Sequence, residues 1–519
     1  MCPTDFVSIF NDVLGPVMRG PSSSHTAGSY HIGRVARSLL GEPPVGAELV
    51  FDPDGSYAAT FRPQSSDKAF AAGLMGWEIT DDRFGRALDE ARALGMDLVF
   101  RVASLDAADH PNTVRMALRG ASGRTLRLLA KSTGGGGFLV SRLEDWAVAL
   151  DGKSYAVIVE VDKSAPSEIE FLMNAAPGGA ARLSDSPSSD GALLILSGAE
   201  APARKFLDDL GRRPGVRRMW IAAPIYYPRR GEELFDSAEG LLRCAREGEL
   251  TMGQAALRYE ARILGLTESA AMSEMLRRAD IMAAAVAAGF DGANVRMKLL
   301  EPSAAAVLEA ERRGVLPGGG LHARAAARAL AALHVSNSGG IVVAAPTGGS
   351  AGVLPAVAVT LAEEKGLSRT RLGLALFAAG AVGFVLARRG TFAAEVAGCQ
   401  VEIGAAGAMA AAAVVEAAGG TARQAADAAA IAFQNTMGSV CDLVQGLCEI
   451  PCHTRNAVAA ANAFLCADLV LGGYRNPVPL DETIDAVYSS GRMLPPELLC
   501  TSLGGLAVAP SALALKPRA

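Results

Sequence analysis

Over the first 150 residues, short runs in which apolar and polar positions alternate (ELVFDPDGSYAATF, MDLVFRVASL, TLRLLAKS) are interrupted by the helix-like ALDEARALG and by Gly, Pro and Asp. This mixture predicts an α/β domain over residues 1–150. Residues 153–226 repeat it on a smaller scale: SYAVIVEV, EIEFLMNA, GALLILSG, APARKFLDDLG and VRRMWIAAPI read as strands and helices in succession. They predict a small βαββαβ-type module over 151–228. The polar, Pro-containing stretch YYPRRGEELFDS, residues 226–237, marks a linker. Beyond it strand signals almost vanish. AEGLLRCAREG, MGQAALRYEARILGL, SEMLRRADIMAAAVAAG and ARAAARALAAL place apolar residues three or four apart, so residues 235–519 are expected to form a large all-helical domain. Leu372 to Ala387 and Ile403 to Ala418 are apolar around most of their circumference, which places them at the centre of that assembly. The fold class is therefore α+β multidomain.

Composition narrows the functional classes. Half of the 519 residues are apolar but only 5% are aromatic, so the interior is built from Ala, Val, Leu and Gly in closely packed helices. A net charge of -5 gives no broad positive field, and nucleic acid is not expected as a partner. The first twenty residues carry Asp5 and Asp12 and lack a basic start with an uninterrupted apolar stretch, so no secretory signal is read. The longest apolar run, Leu372 to Ala387, has sixteen residues, short of the roughly 18 to 20 that span a bilayer. The expectation is a cytoplasmic protein without a membrane partner.

Eight cysteines in such a chain remain mostly reduced, so clustered ones point to metal ligation before disulfides. Cys441, Cys448 and Cys452 fall within SVCDLVQGLCEIPCHTRN, and Cys399 follows a glycine in EVAGCQVEIGAAGAMAAA. Pro451 is expected to end any helix through Val444 and leave Cys452 on a loop. Neither the C-x2-C repeats of ferredoxins nor those of zinc ribbons are present, and spacing alone favours inert buried thiols over a cofactor site. A second cluster of chemistry is GPSSSHTAG, residues 20–28, with three serines and His25 in a Gly-flanked loop suited to an anion, although a serine-rich loop before a helix more often serves as its cap. His110, Pro111, Asn112 and Thr113 form an HPNT turn, and a Gly-rich turn spans Ser132 to Gly137.

AGCQVEIGAAGAMAAA, VCDLVQGLCEIPCHTRNAVAA and VSNSGGIVVAAPTGGSAGVLP resemble the catalytic domain of iron-sulfur-dependent L-serine dehydratases, and GPSSSHT and HPNT resemble the amino-terminal half of the same family. The resemblance extends over almost the whole chain and implies a single-chain form with fused beta-type and alpha domains. It implies a 4Fe-4S cluster on Cys399, Cys441 and Cys452, which leaves one iron open as a Lewis acid. It also implies catalytic roles for His25 and His110, and substrate-binding roles for Ser23, Ser24, Thr26, Asn112, Asn337, Thr347 and Ser350. Cys2, Cys244, Cys448, Cys466 and Cys500 lie outside the ligand motifs and read as structural. The implied substrate is a small amino acid, L-serine, and the product pyruvate with ammonia.

The 151–228 module resembles ACT modules, which often pair, so a homo-oligomer is expected. Its opening turn, however, reads DKSAPS from Asp162 to Ser167 where an Arg-Pro-Gly-like turn is usual. RPQSSDK, residues 62–68, carries Gln64 where the family has a histidine, and Cys441-Asp442-Leu443-Val444 replaces Cys-Asp-Pro-Val. These departures keep two alternatives open: removal of sulfide from cysteine by the same cluster, and a cluster-bearing sensor without catalysis. A pyridoxal-phosphate enzyme is the mechanistic rival, with Lys131 before Gly134 to Gly137, but it leaves the three cysteines unexplained.

Overall fold

The computed structural model describes residues 6–106, 108–162, 166–174, 180–185, 191–518. The amino-terminal part holds a six-stranded sheet in which Pro44–Phe51 and Asp97–Val102 run parallel and every other neighbouring pair is antiparallel. The strand Thr113–Gly120 alternates buried and exposed positions over most of its length, as a sheet with one covered face requires. Helices Gly28–Leu40 and Ser66–Met75 supply the cover. They pack so closely that a Cβ on Gly73 would overlap the backbone of Tyr30.

The small module is a four-stranded antiparallel sheet with Tyr155–Asp162 and Gly191–Gly198 at its centre, Val216–Ala222 and Ala180–Asp185 at its edges, and helices Pro166–Asn174 and Arg204–Gly211. The strand Ala180–Asp185 had no counterpart among the runs read from sequence. Lys163, Ser164 and Ala165 of the DKSAPS turn lie outside the described residues.

From Ala238 onward the chain is almost wholly helical. Helix Ile403–Ala417 is buried at every position, and Arg369–Arg389 is buried from Leu372 to Leu386 apart from Leu374. Arg369–Arg389 and the longer segment Cys399–Ala417 are long and apolar enough to cross a membrane by composition, yet most of their surface is covered by the protein itself. Ala and Gly along these helices let backbones approach closely, which is how an interior poor in aromatics still fills.

One short ladder decides where the chemistry lies. Val17–Arg19 pairs antiparallel with Ile341–Val343 of the helical part. The two loops that follow these strands, Gly20–Ala27 and Ala344–Gly352, are thereby set against each other. A Cβ on Gly348 would fall 2.8 Å from the Ser23 nitrogen, so this glycine is what permits the contact.

Candidate active site

Ser22 to Ala27 form a tight helical turn leading into Gly28–Leu40, and Ser22 Oγ caps it by accepting from the His25 amide at 3.1 Å. The capping reading of the serine-rich loop therefore holds for Ser22, while Ser23, Ser24, His25 and Thr26 are all buried behind it. Thr26 Oγ1 donates to the Gln64 carbonyl at 2.8 Å, so its hydroxyl is committed to the loop. The His25 ring is held at both nitrogens, Nδ1 3.2 Å from Ser22 Oγ and Nε2 3.0 Å from Ser56 Oγ, and lies edge-on to Tyr57. Burial lowers its pKa to about 4, opposed by the charge of Glu395 and assisted by that of His110. The ring is therefore neutral at physiological pH.

His110 begins the turn before strand Thr113–Gly120. Its Nδ1 accepts the Asn112 amide at 3.1 Å, so the neutral ring carries its proton on Nε2. Burial lowers this pKa as well, with Glu395 opposing. Asn112 Nδ2 donates to Glu395 Oε1, tying the amino-terminal sheet to the helical part, and its buried Oδ1 has no partner. An acceptor left open in this way suits a polar hydrogen of a ligand.

In the helical part, Thr347 and Ser350 hydrogen-bond to each other through their hydroxyls at 3.0 Å, and Thr347 also hydrogen-bonds the Glu402 carboxyl. Burial followed by the charge of Glu395 pushes the Glu402 pKa up to about 8. Asn337 stands apart from this group: its Nδ2 donates to the Cys448 carbonyl at 2.8 Å, and its Oδ1 is buried without a partner.

The described cysteines are all free thiols. Gly398, at φ 74°, turns the chain so that Cys399 enters the interior, and a Cβ there would lie 2.6 Å from the Ser439 carbonyl. Cys452 does not sit on a loop. It is the first residue of helix Cys452–Leu471, because Pro451, which cannot extend a preceding helix, is tolerated just before a new one. The Cys399 thiol is hydrogen-bonded with that of Cys441, and Cys441 in turn with Cys500. The strand-like pairing of Cys441 with Leu499 holds Cys500 there, its amide donating to the Cys441 carbonyl at 2.8 Å. Cys500, read as remote from the ligand motifs, is thus a neighbour of one proposed ligand.

The bond to Cys441 and burial raise the Cys399 thiol well above its ordinary pKa, and burial does the same for Cys452. The balancing cation is Arg455, which donates to Cys399 Sγ at 3.5 Å and pairs with Asp442 at 3.0 Å. Thiols gathered from three segments into a place where a thiolate lacks solvent are suited to a metal centre, whose positive charge supplies what burial removes. Among the described residues no three His, Cys, Asp or Glu side chains are arranged to hold a single metal ion. The donor set fits a larger centre, whose ligands need not face one point.

Glu395, Glu402 and Arg455 were not among the residues singled out from sequence, and Cys500 was read as structural. Glu395 links the two halves electrostatically, since its charge reaches His25, His110 and Cys500. Glu402 acts on Cys399, Cys441 and Cys452 in the same way. EVAGCQVE, with two carboxylates beside a cysteine in an otherwise apolar stretch, was the available signal. Lys131 is held by Asp109 at 2.5 Å, and the glycines after it form a hairpin between strands Thr125–Gly134 and Gly137–Leu143.

The family described as "Serine dehydratase alpha chain" matches residues 238–507. The "Probable L-serine dehydratase, alpha chain" of Bacillus subtilis is 37% identical over 278 residues, 54% of this chain and 93% of that protein. The "L-serine dehydratase, alpha chain" of Peptoniphilus asaccharolyticus is 35% identical over 275 residues, 53% of this chain and 94% of its own. The amino-terminal part is covered by the "Probable L-serine dehydratase, beta chain" of B. subtilis, 40% identical over 153 residues, 29% of this chain and 67% of that one. With the two halves joined at the site just described, the chain belongs to the serine dehydratase family of lyases and carries in one polypeptide what these relatives carry as alpha and beta chains.

Proposed function

We propose that this protein is a cytoplasmic L-serine dehydratase that converts L-serine to pyruvate and ammonia. The observation that carries the reading is the meeting, at the joint of the two halves, of a buried thiol group with two neutral histidines and an open amide acceptor. The alpha- and beta-chain relatives support the same activity. Residues 1–150, 151–228 and 235–519 are assigned as the beta-type domain, an ACT-like module and the catalytic domain. The protein is assigned as a homo-oligomer, with the small module as the pairing element.

Cys399, Cys441 and Cys452 would hold a 4Fe-4S cluster, which when bound supplies Lewis acidity toward the departing β-hydroxyl through its one iron without a protein thiolate. The chain's own groups do the rest. Ser23 and Ser24 bind the substrate carboxylate, and Asn112 Oδ1 accepts from its ammonium group, satisfying an atom otherwise left without a partner. His25 accepts the α-proton, with the ring oriented by Ser22 and Ser56 and the resulting cation stabilised by Glu395. His110, with its proton on Nε2, acts as a donor. Thr347 and Ser350 orient Glu402, and Asn337 positions the Cys448 segment. Loss of the α-proton and of hydroxide leaves an enamine, which tautomerises and takes up water to give pyruvate and ammonia.

The test is anaerobic purification with iron and sulfide analysis, followed by side-by-side assays on L-serine, L-threonine and L-cysteine. Pyruvate formed fastest from L-serine is the expected result. Sulfide released faster from L-cysteine would make the protein a desulfidase, and a loaded cluster without turnover of any of the three would make it a sensor.

A further inference from the structure

Just outside the catalytic joint lies a cavity of about 350 Å³ whose wall comes from both halves of the chain. Arg19, Arg62 and Lys68 reach it from the amino-terminal part, and Arg296 and Lys298 from the helical part. Two carboxylates share the wall. Asp82 pairs with Arg19 at 3.1 Å, and Glu449 is turned to the backbone, accepting the amides of Lys298, Leu299 and Leu300 at 2.7, 2.8 and 2.9 Å. Asp67 is close enough to Lys68 and Arg62 to feel their charge, and burial pushes its pKa up. Among the described residues, Arg62, Lys68, Arg296 and Lys298 form no ion pair.

Five cations facing two committed carboxylates is an unbalanced wall, and the cavity shape strengthens it, because a concave site between low-dielectric walls concentrates the field. Its polar capacity is also unspent. Arg19 Nε and Asn337 Oδ1 are buried atoms of lining residues without a partner. Pro21 of the serine-rich loop and Cys448 form part of the same wall, so the cavity stands at the mouth of the site.

We propose that this mouth binds a small carboxylate anion, held by Lys68, Arg296 and Lys298 with Arg62 at the rim. With two of these cations contributed by each half of the chain, the wall suits a dicarboxylate better than a single carboxylate. Because the wall needs both halves in place, occupancy also clamps the joint. An anion lodged there obstructs exchange with the catalytic cavity, which makes the site inhibitory. The binding step does not depend on the reading of the activity; the inhibition does.

The test is calorimetric titration of the full-length protein with malonate, inorganic phosphate and acetate, for the native chain and a Lys68→Gln/Arg296→Gln/Lys298→Gln variant. None of the three positions has a role in the proposed chemistry. Malonate is expected to bind more tightly than acetate or phosphate, to weaken as salt is raised, and to lose about tenfold or more in affinity in the variant. Circular dichroism and melting temperature without malonate report whether the variant folds. A single Lys68→Gln substitution, expected to lose about threefold, keeps the proposal testable if the triple variant does not fold. In the cluster-loaded enzyme malonate should inhibit, with an inhibition constant that rises in step with its dissociation constant. Absence of malonate binding, equal binding by folded variant and native chain, or tighter binding of phosphate than of malonate would each overturn the proposal.

Discussion

Asn112 and Glu395, 283 positions apart, are joined by a hydrogen bond from the Asn112 amide to the Glu395 carboxylate inside the protein. One residue lies in the HPNT turn and the other precedes Cys399 by four positions, so this contact sets the histidine side of the site against the thiol side.

Asn112→Ala therefore removes a buried donor from a buried carboxylate. A loss of about 1 to 3 kcal/mol in unfolding free energy is expected, measurable by denaturant titration. Glu395→Gln keeps the shape and removes the charge that favours protonated His25. It should lower kcat about 100-fold or more while melting temperature changes little, and an unchanged kcat would remove Glu395 from the account.

Gln64 stands where the resembling family has a histidine. Its Nε2 donates to the Gly446 carbonyl at 3.1 Å across the joint, and its own carbonyl accepts from Thr26. The side chain is buried, so its function here is to dock the two halves. Gln64→Ala is expected to cost about 1 to 3 kcal/mol in stability, with the larger part of any activity loss recovered by Gln64→Asn or Gln64→His. Activity loss without destabilisation would point to direct contact with substrate instead.

Much of this organisation was legible beforehand. The helical period of residues 235–519 and the all-round apolar character of Ile403 to Ala418 predicted central buried helices, because a helix with no polar face has nowhere else to go. Sequence order could not show the ladder between Val17–Arg19 and Ile341–Val343, which involves three-residue strands too short to carry a pattern. Without that ladder the two loops have no reason to meet. Cys500 was missed for a related reason: it reaches Cys441 through backbone pairing, which leaves no trace in residue type. Glu395 and Glu402 were visible as charges in an apolar stretch, and the cost of burying them was the clue.

Stability should depend on acid in a definite direction. Burial lowers the pKa of His31 from 6.5 to about 4, and of His25, His334 and His453 likewise. Between those pH values the unfolded chain binds a proton at each site and the native chain does not. The stability is therefore fully present above about pH 6.5 and is lost as pH falls toward 4. His31 lies outside the catalytic group, with Nδ1 2.8 Å from the Gly136 carbonyl. His31→Gln should make the fall in melting temperature between pH 7 and pH 5 shallower, and an unchanged slope would show that His31 is already protonated in the native state.

The central claim is that Cys399, Cys441 and Cys452 hold the cluster. It is tested most directly by iron and sulfide content of anaerobically purified single Cys→Ser variants at 399, 441, 452, 448 and 500. The account predicts about four irons per chain in the native protein, loss of most iron in the first three variants, and retention in Cys448→Ser and Cys500→Ser. Native protein without iron, or iron that survives Cys399→Ser but disappears in Cys500→Ser, would contradict it.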